Sequence, residues 1–373
     1  MRTMFPPKPF QRWLLCCLSG TALVATAADD TNAPVSTLEK YFGLHKVSPE
    51  DDDWTRHFRL GAVVGLNINA SFKEHGNFNV SGNNPAAGIY DNGYVRTDAT
   101  GNAGGGTSYW GYNDSKQYDE ANHQLTMLGS SSFNANSDAK VEDAGSVGFD
   151  MAYGANLWYW RHVRIGWEAG FGLLPLHIVD NHSMSASINQ SSYTFSTLDP
   201  NGNDVVIPTA PYQGGASGQG PLIQYPSSFP NGVPLTPANG SVTGKRELDV
   251  MLYTLRLGAT FYGDVAENIG VSVGVGPAIG LVSGNYHYDE TIATASGTSV
   301  RNQGGFGSTE VVFGGYVNAT VMYHFKDAGR DADVYLSAEY MPLSDATMSR
   351  QGREASLNMS GQLRLSIGLN WPF

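Results

Sequence analysis

The 373-residue chain has only two cysteines, Cys16 and Cys17, and both lie in an N-terminal stretch that reads as a removable secretory leader. Arg2, Lys8 and Arg12 supply its positive start and Trp13 to Val24 its apolar core. Ala25-Thr26-Ala27 is the small-residue cut, predicting a signal peptide over residues 1–27; a cut one residue later fits nearly as well. Lipidation of the cysteines would need a small residue ahead of them, and Leu14 and Leu15 stand there instead. A mature chain without cysteine has no disulfide and no thiolate metal site. No later segment has the ~18 uninterrupted apolar residues of a membrane-spanning helix. Basic residues are also scarce, with Lys+Arg 22 against Asp+Glu 34 and a formal charge of −12, and the leader takes three of the basic ones away. Such acidity argues against nucleic acid as a partner.

What the chain has in quantity is period-2 alternation, which puts one set of side chains on each face of a strand. It runs longest at the end, where Leu357, Met359, Leu363, Leu365, Ile367, Leu369, Trp371 and Phe373 alternate with polar or small residues. Eight segments share the pattern, over about residues 59–72, 147–160, 162–178, 248–262, 269–287, 309–325, 332–343 and 357–373. The first carries Leu60, Ala62, Val64, Leu66, Ile68, Ala70 and Phe72 on one face. The connections alternate strictly between short and long. Residues 160–162, 263–268 and 326–331 are short and polar, whereas 73–146, 179–247, 288–308 and 344–353 are longer. A soluble sandwich has no reason for that asymmetry; a transmembrane barrel has, with short turns on one side of the membrane and external loops on the other.

The expected fold is therefore all-β: an eight-stranded antiparallel up-and-down transmembrane β-barrel over 59–373, with two long extracellular loops, 73–146 and 179–247. Those loops are rich in Gly, Ser, Asn, Pro and Tyr and poor in aliphatics, which predicts no core of their own size. Residues 28–58 fall outside the alternation and are expected as a periplasmic N-terminal segment. Tyr159, Trp167, Phe261, Tyr323, Phe325, Trp371 and Phe373 cluster near the ends with short turns, the level at which amphipathic rings favour a bilayer interface.

The tail Ser366, Gly368, Trp371 and Phe373 resembles the C-terminal assembly signal of bacterial outer-membrane barrels. The architecture over 59–373 is similar to that of the small OmpA-, OmpX- and OmpW-type proteins. The resemblance implies a place in the cell outer membrane, with lipid, lipopolysaccharide and the barrel-assembly machinery as partners. Functions in that group run from envelope structure and adhesion to narrow conductance, so fold alone does not choose among them.

Inward positions should line a lumen that side chains nearly fill. They include Asp150, Asn156, Trp158, Glu168, Arg256, Glu310, Tyr316, His324, Glu339 and Arg364, with Ser272, Gly274, Gly276, Ala278 and Gly280 making room for long partners. Buried charges need pairing, and counting along the hairpins predicts a lumenal network with Glu168–Arg256 and Glu339–Arg364 as its cores. Other motifs are weaker. Asp180, His182 and Ser183 have the residue types of a hydrolytic set, but adjacent strand residues point to opposite faces; His177 and His287 are candidates by type alone. Asp199 to Asp204 has its glycine at the wrong place for a calcium loop and Ala210 where the bidentate Glu belongs. Gly104-Gly105-Gly106 lacks the Lys-Ser/Thr of a phosphate loop. No metal, cofactor or enzymatic activity is expected. The expected function is structural, or surface interaction with an extracellular ligand through the long loops above a plugged lumen. The alternative is a narrow channel for small solutes or ions; a lipid-modifying enzyme ranks last.

Overall fold

The computed structural model describes residues 44–46, 56–78, 88–136, 141–142, 146–160, 162–226, 232–295, 297–325 and 332–372. The leader, most of 28–58 and Phe373 lie outside these residues. The described chain is dominated by antiparallel strands, and none of its helices is long and apolar enough to cross a membrane. Its main sheet holds 19 strands among the described residues, so the expectation of an eight-stranded barrel is corrected to a larger antiparallel sheet.

Eight of these strands pair in a ring: β1 (Arg56–Leu66), β2 (Ser146–Trp160), β3 (Val163–Asp180), β4 (Ala238–Ala266), β5 (Ile269–Thr294), β6 (Ser299–His324), β7 (Asp333–Tyr340) and β8 (Leu363–Pro372). Each pairs with the next, and β8 returns to β1, Gly368 lying opposite Gly61. That last junction is tight. A Cβ on Gly368 would stand 2.1 Å from the Leu60 carbonyl oxygen, so the glycine has a packing reason of its own. The end of the ring that carries the short turns is its lower end.

Above this ring the sheet continues with other strands. Ala346–Arg350, Arg353–Asn358, Asn69–Asn77, Gln124–Asn136 and Met184–Ser196 pair in that order, and the last joins the upper part of β4. β4, β5 and β6, of 29, 26 and 26 residues, run through both levels. Residues 288–308, expected as a loop, are thus mostly strand, β5 and β6 pairing up to Ala293 and Ser299. Likewise 344–353 is a hairpin, and β1 starts at Arg56 rather than at residue 59.

Which face is apolar changes between the two levels. In the lower ring the outward residues are bare hydrocarbon: Leu60, Phe149, Leu255, Phe313, Leu336 and Ile367 are all exposed. Higher on the same strands the inward residues are apolar and buried instead: Leu174, Leu176 and Ile178 on β3, Val250 and Leu252 on β4, Val282 and Tyr286 on β5. Outward positions there are polar, such as His177, Asp249 and Asn285. Where the chain leaves the lower ring the inversion needs a break in the strand. Asn67 adopts φ 61°, a left-handed conformation that Asn tolerates better than most residues. Beyond it Ile68, Ala70 and Phe72 turn inward and are fully buried, not outward as expected. The second break, between Arg353–Asn358 and β8, splits what the alternation predicts as one terminal strand.

Candidate functional site

The lower lumen is crossed by a layer of six charged side chains, one from each of six strands. Arg59 (β1), Arg256 (β4) and Arg364 (β8) face Asp150 (β2), Glu168 (β3) and Glu339 (β7), and all six are buried. Three guanidinium groups against three carboxylates leave the layer formally neutral. Arg256 grips Asp150 with both terminal nitrogens, Nη1–Oδ1 2.6 Å and Nη2–Oδ2 2.7 Å, the two-pronged geometry that suits Arg. Its Nε lies 3.2 Å from Glu339 Oε2. Arg364 Nη1 is 3.2 Å from Glu339 Oε1 and donates to Thr254 Oγ1 at 3.0 Å, while its Nη2 lies 3.4 Å from Asp150 Oδ1. Arg59 pairs with Glu168 and donates to Thr320 Oγ1 at 3.0 Å. His57 Nε2 stands 3.2 Å from the same Glu168 oxygen.

The structure therefore brings together all four residues expected in this network. Glu339 and Arg364 are direct cross-strand partners. Glu168 and Arg256 do not form the expected pair: Glu168 lies opposite Gly258 and Arg256 opposite Gly170, two residues out of register, and each takes another partner. Sequence reasoning missed Arg59, although its parity on β1 marks it as inward. It named Asp150 as lumenal without giving it a partner. The wide guanidinium groups fit because small residues face them. A Cβ on Gly170 would meet Arg256 Cζ at 2.5 Å, and one on Gly172 would meet Arg364 Nη2 at 2.2 Å. The space left among Arg59, Asp150, Arg256, Glu339 and Arg364 is ≈ 10 Å³, about the least that holds one water.

Below this layer, His324 Nδ1 contacts Asp333 at 2.9 Å and its Nε2 meets the Tyr262 hydroxyl at 3.0 Å. Above it comes the apolar core of the upper level. A second buried charge cluster lies beyond that core. Arg246 reaches Glu74 and Glu290 through Nε, each at 2.9 Å, and Asp180 through Nη1 at 2.9 Å. Arg353 Nη2 stands 3.6 Å from Glu290 and its guanidinium lies 4.7 Å from the centre of the Tyr288 ring. Three acids against two guanidinium groups leave one carboxyl in excess. The Glu290 carboxyl is pushed up to about 9 by burial and then by Glu74 beside it, against the pull of Arg246 and Arg353.

The residues expected as long loops build a unit with its own core: Tyr90, Val95, Trp110, Tyr112, Leu125, Met127, Phe195 and Ile223. The expectation of no such core counted aliphatics, and here Tyr90, Trp110, Tyr112 and Phe195 supplement the few that are present. Trp110 is fully buried, donates from Nε1 to the Pro221 carbonyl at 2.8 Å, and lies 4.7 Å from the Tyr212 ring centre. Asp98 ties one turn of this unit, accepting from Thr100 and Ser108; these hydrogen bonds, the Thr100 hydroxyl first, hold its carboxyl well below the usual range.

His182 Nδ1 is engaged by Asp180 at 2.7 Å, and among the described residues no hydrogen bond joins His182 to Ser183. Asp199 accepts from the backbone of Asn201 and Asn203 at 2.8 Å each, a self-contained turn. No cluster of metal-ligating side chains occurs among the described residues. Ser366, Gly368 and Trp371 sit on β8; Phe373, the last residue of the expected assembly signal, is outside the described residues.

No protein-family model matches the sequence, and no curated protein matches it. Among solved structures the chain is similar to the attachment invasion locus protein Ail of Yersinia pestis, at 8% identity over 85% of this chain and 99% of that one, with a TM-score of 0.23. It is similar also to the outer-membrane protease OmpT of Escherichia coli, at 9% identity over 85% and 97%, TM-score 0.30. A Pseudomonas aeruginosa FadL homologue is similar at 6% identity over 86% and 90%, TM-score 0.19. Likenesses at such scores decide nothing about function, and the chain's own geometry has to.

Proposed function

We propose that the chain is a transmembrane β-barrel of the bacterial outer membrane, with a plugged lumen and an external unit that serves structure or surface interaction. The observation that carries this reading is the inversion of the apolar face partway up the strands. A wall that is hydrocarbon outside and ionic inside suits a lipid surround, while the level above, polar outside and apolar inside, suits water. On this reading the outer boundary of the membrane lies near Leu173, Tyr253 and Leu281, where the apolar face inverts. The short turns then face the periplasm, and the unit around Trp110 stands outside the cell. Lipid and lipopolysaccharide surround the wall, and the assembly machinery reads the β8 end.

Pairing of the six charges of the layer with one another supports a lumen used for closure rather than for chemistry. The narrow-channel alternative would need a polar path through that layer and through the apolar core above it. Because a mature chain without Cys16 and Cys17 carries no thiol, single cysteines report the topology. Val206→Cys, at an 87% exposed position in the external unit, should react with a membrane-impermeant maleimide on intact cells. Val265→Cys, 68% exposed beside the lower turn, should react only after the outer membrane is opened. Labelling of Val265→Cys on intact cells at the rate of Val206→Cys would overturn the orientation.

A further inference from the structure

The unit around Trp110 carries a four-stranded sheet of its own, in the order Tyr212–Gln213, Tyr109–Tyr112, Gly93–Arg96 and Ile89–Tyr90. Alternation gives that sheet two faces. Val95, Trp110 and Tyr112 belong to the core of the unit. Ile89, Tyr94, Arg96, Tyr109 and Gln213 therefore share the opposite face, where Ile89, Arg96 and Gln213 are exposed.

Tyr94 lies across this face rather than standing out from it. Its cross-strand partner is Gly111, and a Cβ there would stand 2.4 Å from Tyr94 Cε1. The ring takes the place of the missing side chain, and its hydroxyl donates to the Gly214 carbonyl at 2.8 Å. Tyr109 meets it edge-on, the ring centres 5.9 Å apart at 79°. The Arg96 guanidinium is 5.4 Å from the centre of the Tyr94 ring and 5.8 Å from that of Tyr109, so both rings hold the cation. Among the described residues no carboxylate pairs with it. Arg96 and Lys116 are the only Lys or Arg in 88–136 and 197–226, where acidic residues outnumber them.

This face thus offers a fixed aromatic plane with an unneutralised guanidinium beside it. A pyranose ring presents polarised C–H bonds to such a plane, and the negative face of the aromatic ring attracts them. The guanidinium suits a carboxylate, which it takes with two parallel hydrogen bonds. A hexuronic acid carries both features on one ring. The acidic surroundings weigh against a long polyanion, whose further charges they would repel, and favour one acidic sugar at the end of a neutral glycan. We propose that this face binds a terminal hexuronic acid of an extracellular glycan, its ring on Tyr94 and its carboxylate on Arg96. Ile89 and Gln213 bound the ring on either side. The proposal rests on the reading above that this unit stands outside the cell.

The test uses the full chain refolded into liposomes and passed over surfaces bearing β-D-glucuronide or β-D-glucoside, which differ only in carboxylate against hydroxymethyl. Retention on the glucuronide is expected to exceed that on the glucoside about tenfold, the effect of one charge-assisted contact. Arg96→Gln should bring it down to the glucoside level. Arg96→Lys, which keeps the charge without the fork, should fall between. Tyr94→Ala should lower retention on both surfaces. Lys116→Gln, beyond the other end of the Tyr109–Tyr112 strand, should leave it unchanged. Equal retention on the two sugars, or retention indifferent to Arg96→Gln, overturns the proposal while leaving the barrel reading intact. A chain that refolds in solution and never enters liposomes overturns both.

Discussion

Arg256→Met should destabilise the folded chain by about 3–5 kcal/mol, because it leaves Asp150 and Glu339 buried without their shared guanidinium. The loss should be partly restored by Asp150→Asn in the same chain. Asp150 is the carboxylate that Arg256 holds with two hydrogen bonds, and Arg364 remains to satisfy Glu339. Glu168→Gln should give less relief, since the guanidinium that Glu168 meets belongs to Arg59. Urea unfolding in liposomes, followed by the loss of the compact band on unheated gels, measures all three. A rescue by Glu168→Gln equal to that by Asp150→Asn would show that the layer is wired differently.

A comparable cost is expected far from the membrane. Trp110→Ala removes a fully buried indole that contacts Tyr112 and Tyr212 and donates to Pro221. Truncations of this kind cost about 3–5 kcal/mol, and a small external unit has little stability to spare. The expected outcome is selective. Protease added to intact cells should cut within residues 88–136 or 197–226, while the ring below keeps its heat-modifiable compact form. Unchanged protection would mean that Trp110 is not central to this unit.

The ring strands were legible because two solvents impose one rule on each strand. With an apolar outer wall and a narrow ionic lumen inside, alternation survives without interruption, as from Leu363 to Trp371. The upper level was not legible for the same reason. Its strands alternate too, but with the apolar set turned inward, and a pattern of period two does not say which face meets which solvent. Leu60, Ala62, Val64, Leu66, Ile68, Ala70 and Phe72 read as one face, yet the positive φ at Asn67 divides them between the outer wall and the core. An asparagine between two apolar positions was the available sign.

Register explains the rest. Depth counting placed Glu168 and Arg256 in the right layer, but each step along a strand moves a side chain by ~3.3 Å. An offset of two residues was enough to hand Glu168 to Arg59 and Arg256 to Asp150. Glu339 and Arg364 were placed correctly because their cross-strand positions coincide. The external core escaped because half of its filling is aromatic: Tyr90, Trp110, Tyr112 and Phe195 sit among Gly, Ser and Asn and do not recur at any period.

The most direct test of a closed lumen is electrical. Purified full-length protein, refolded and inserted into planar lipid bilayers, should show insertion without regular conductance steps across about ±150 mV, since a layer of paired charges and an apolar core both block the path. Regular single-channel steps that change when Glu339→Gln or Arg364→Met is introduced would contradict the account, because they would place an ion path through the layer described as its plug.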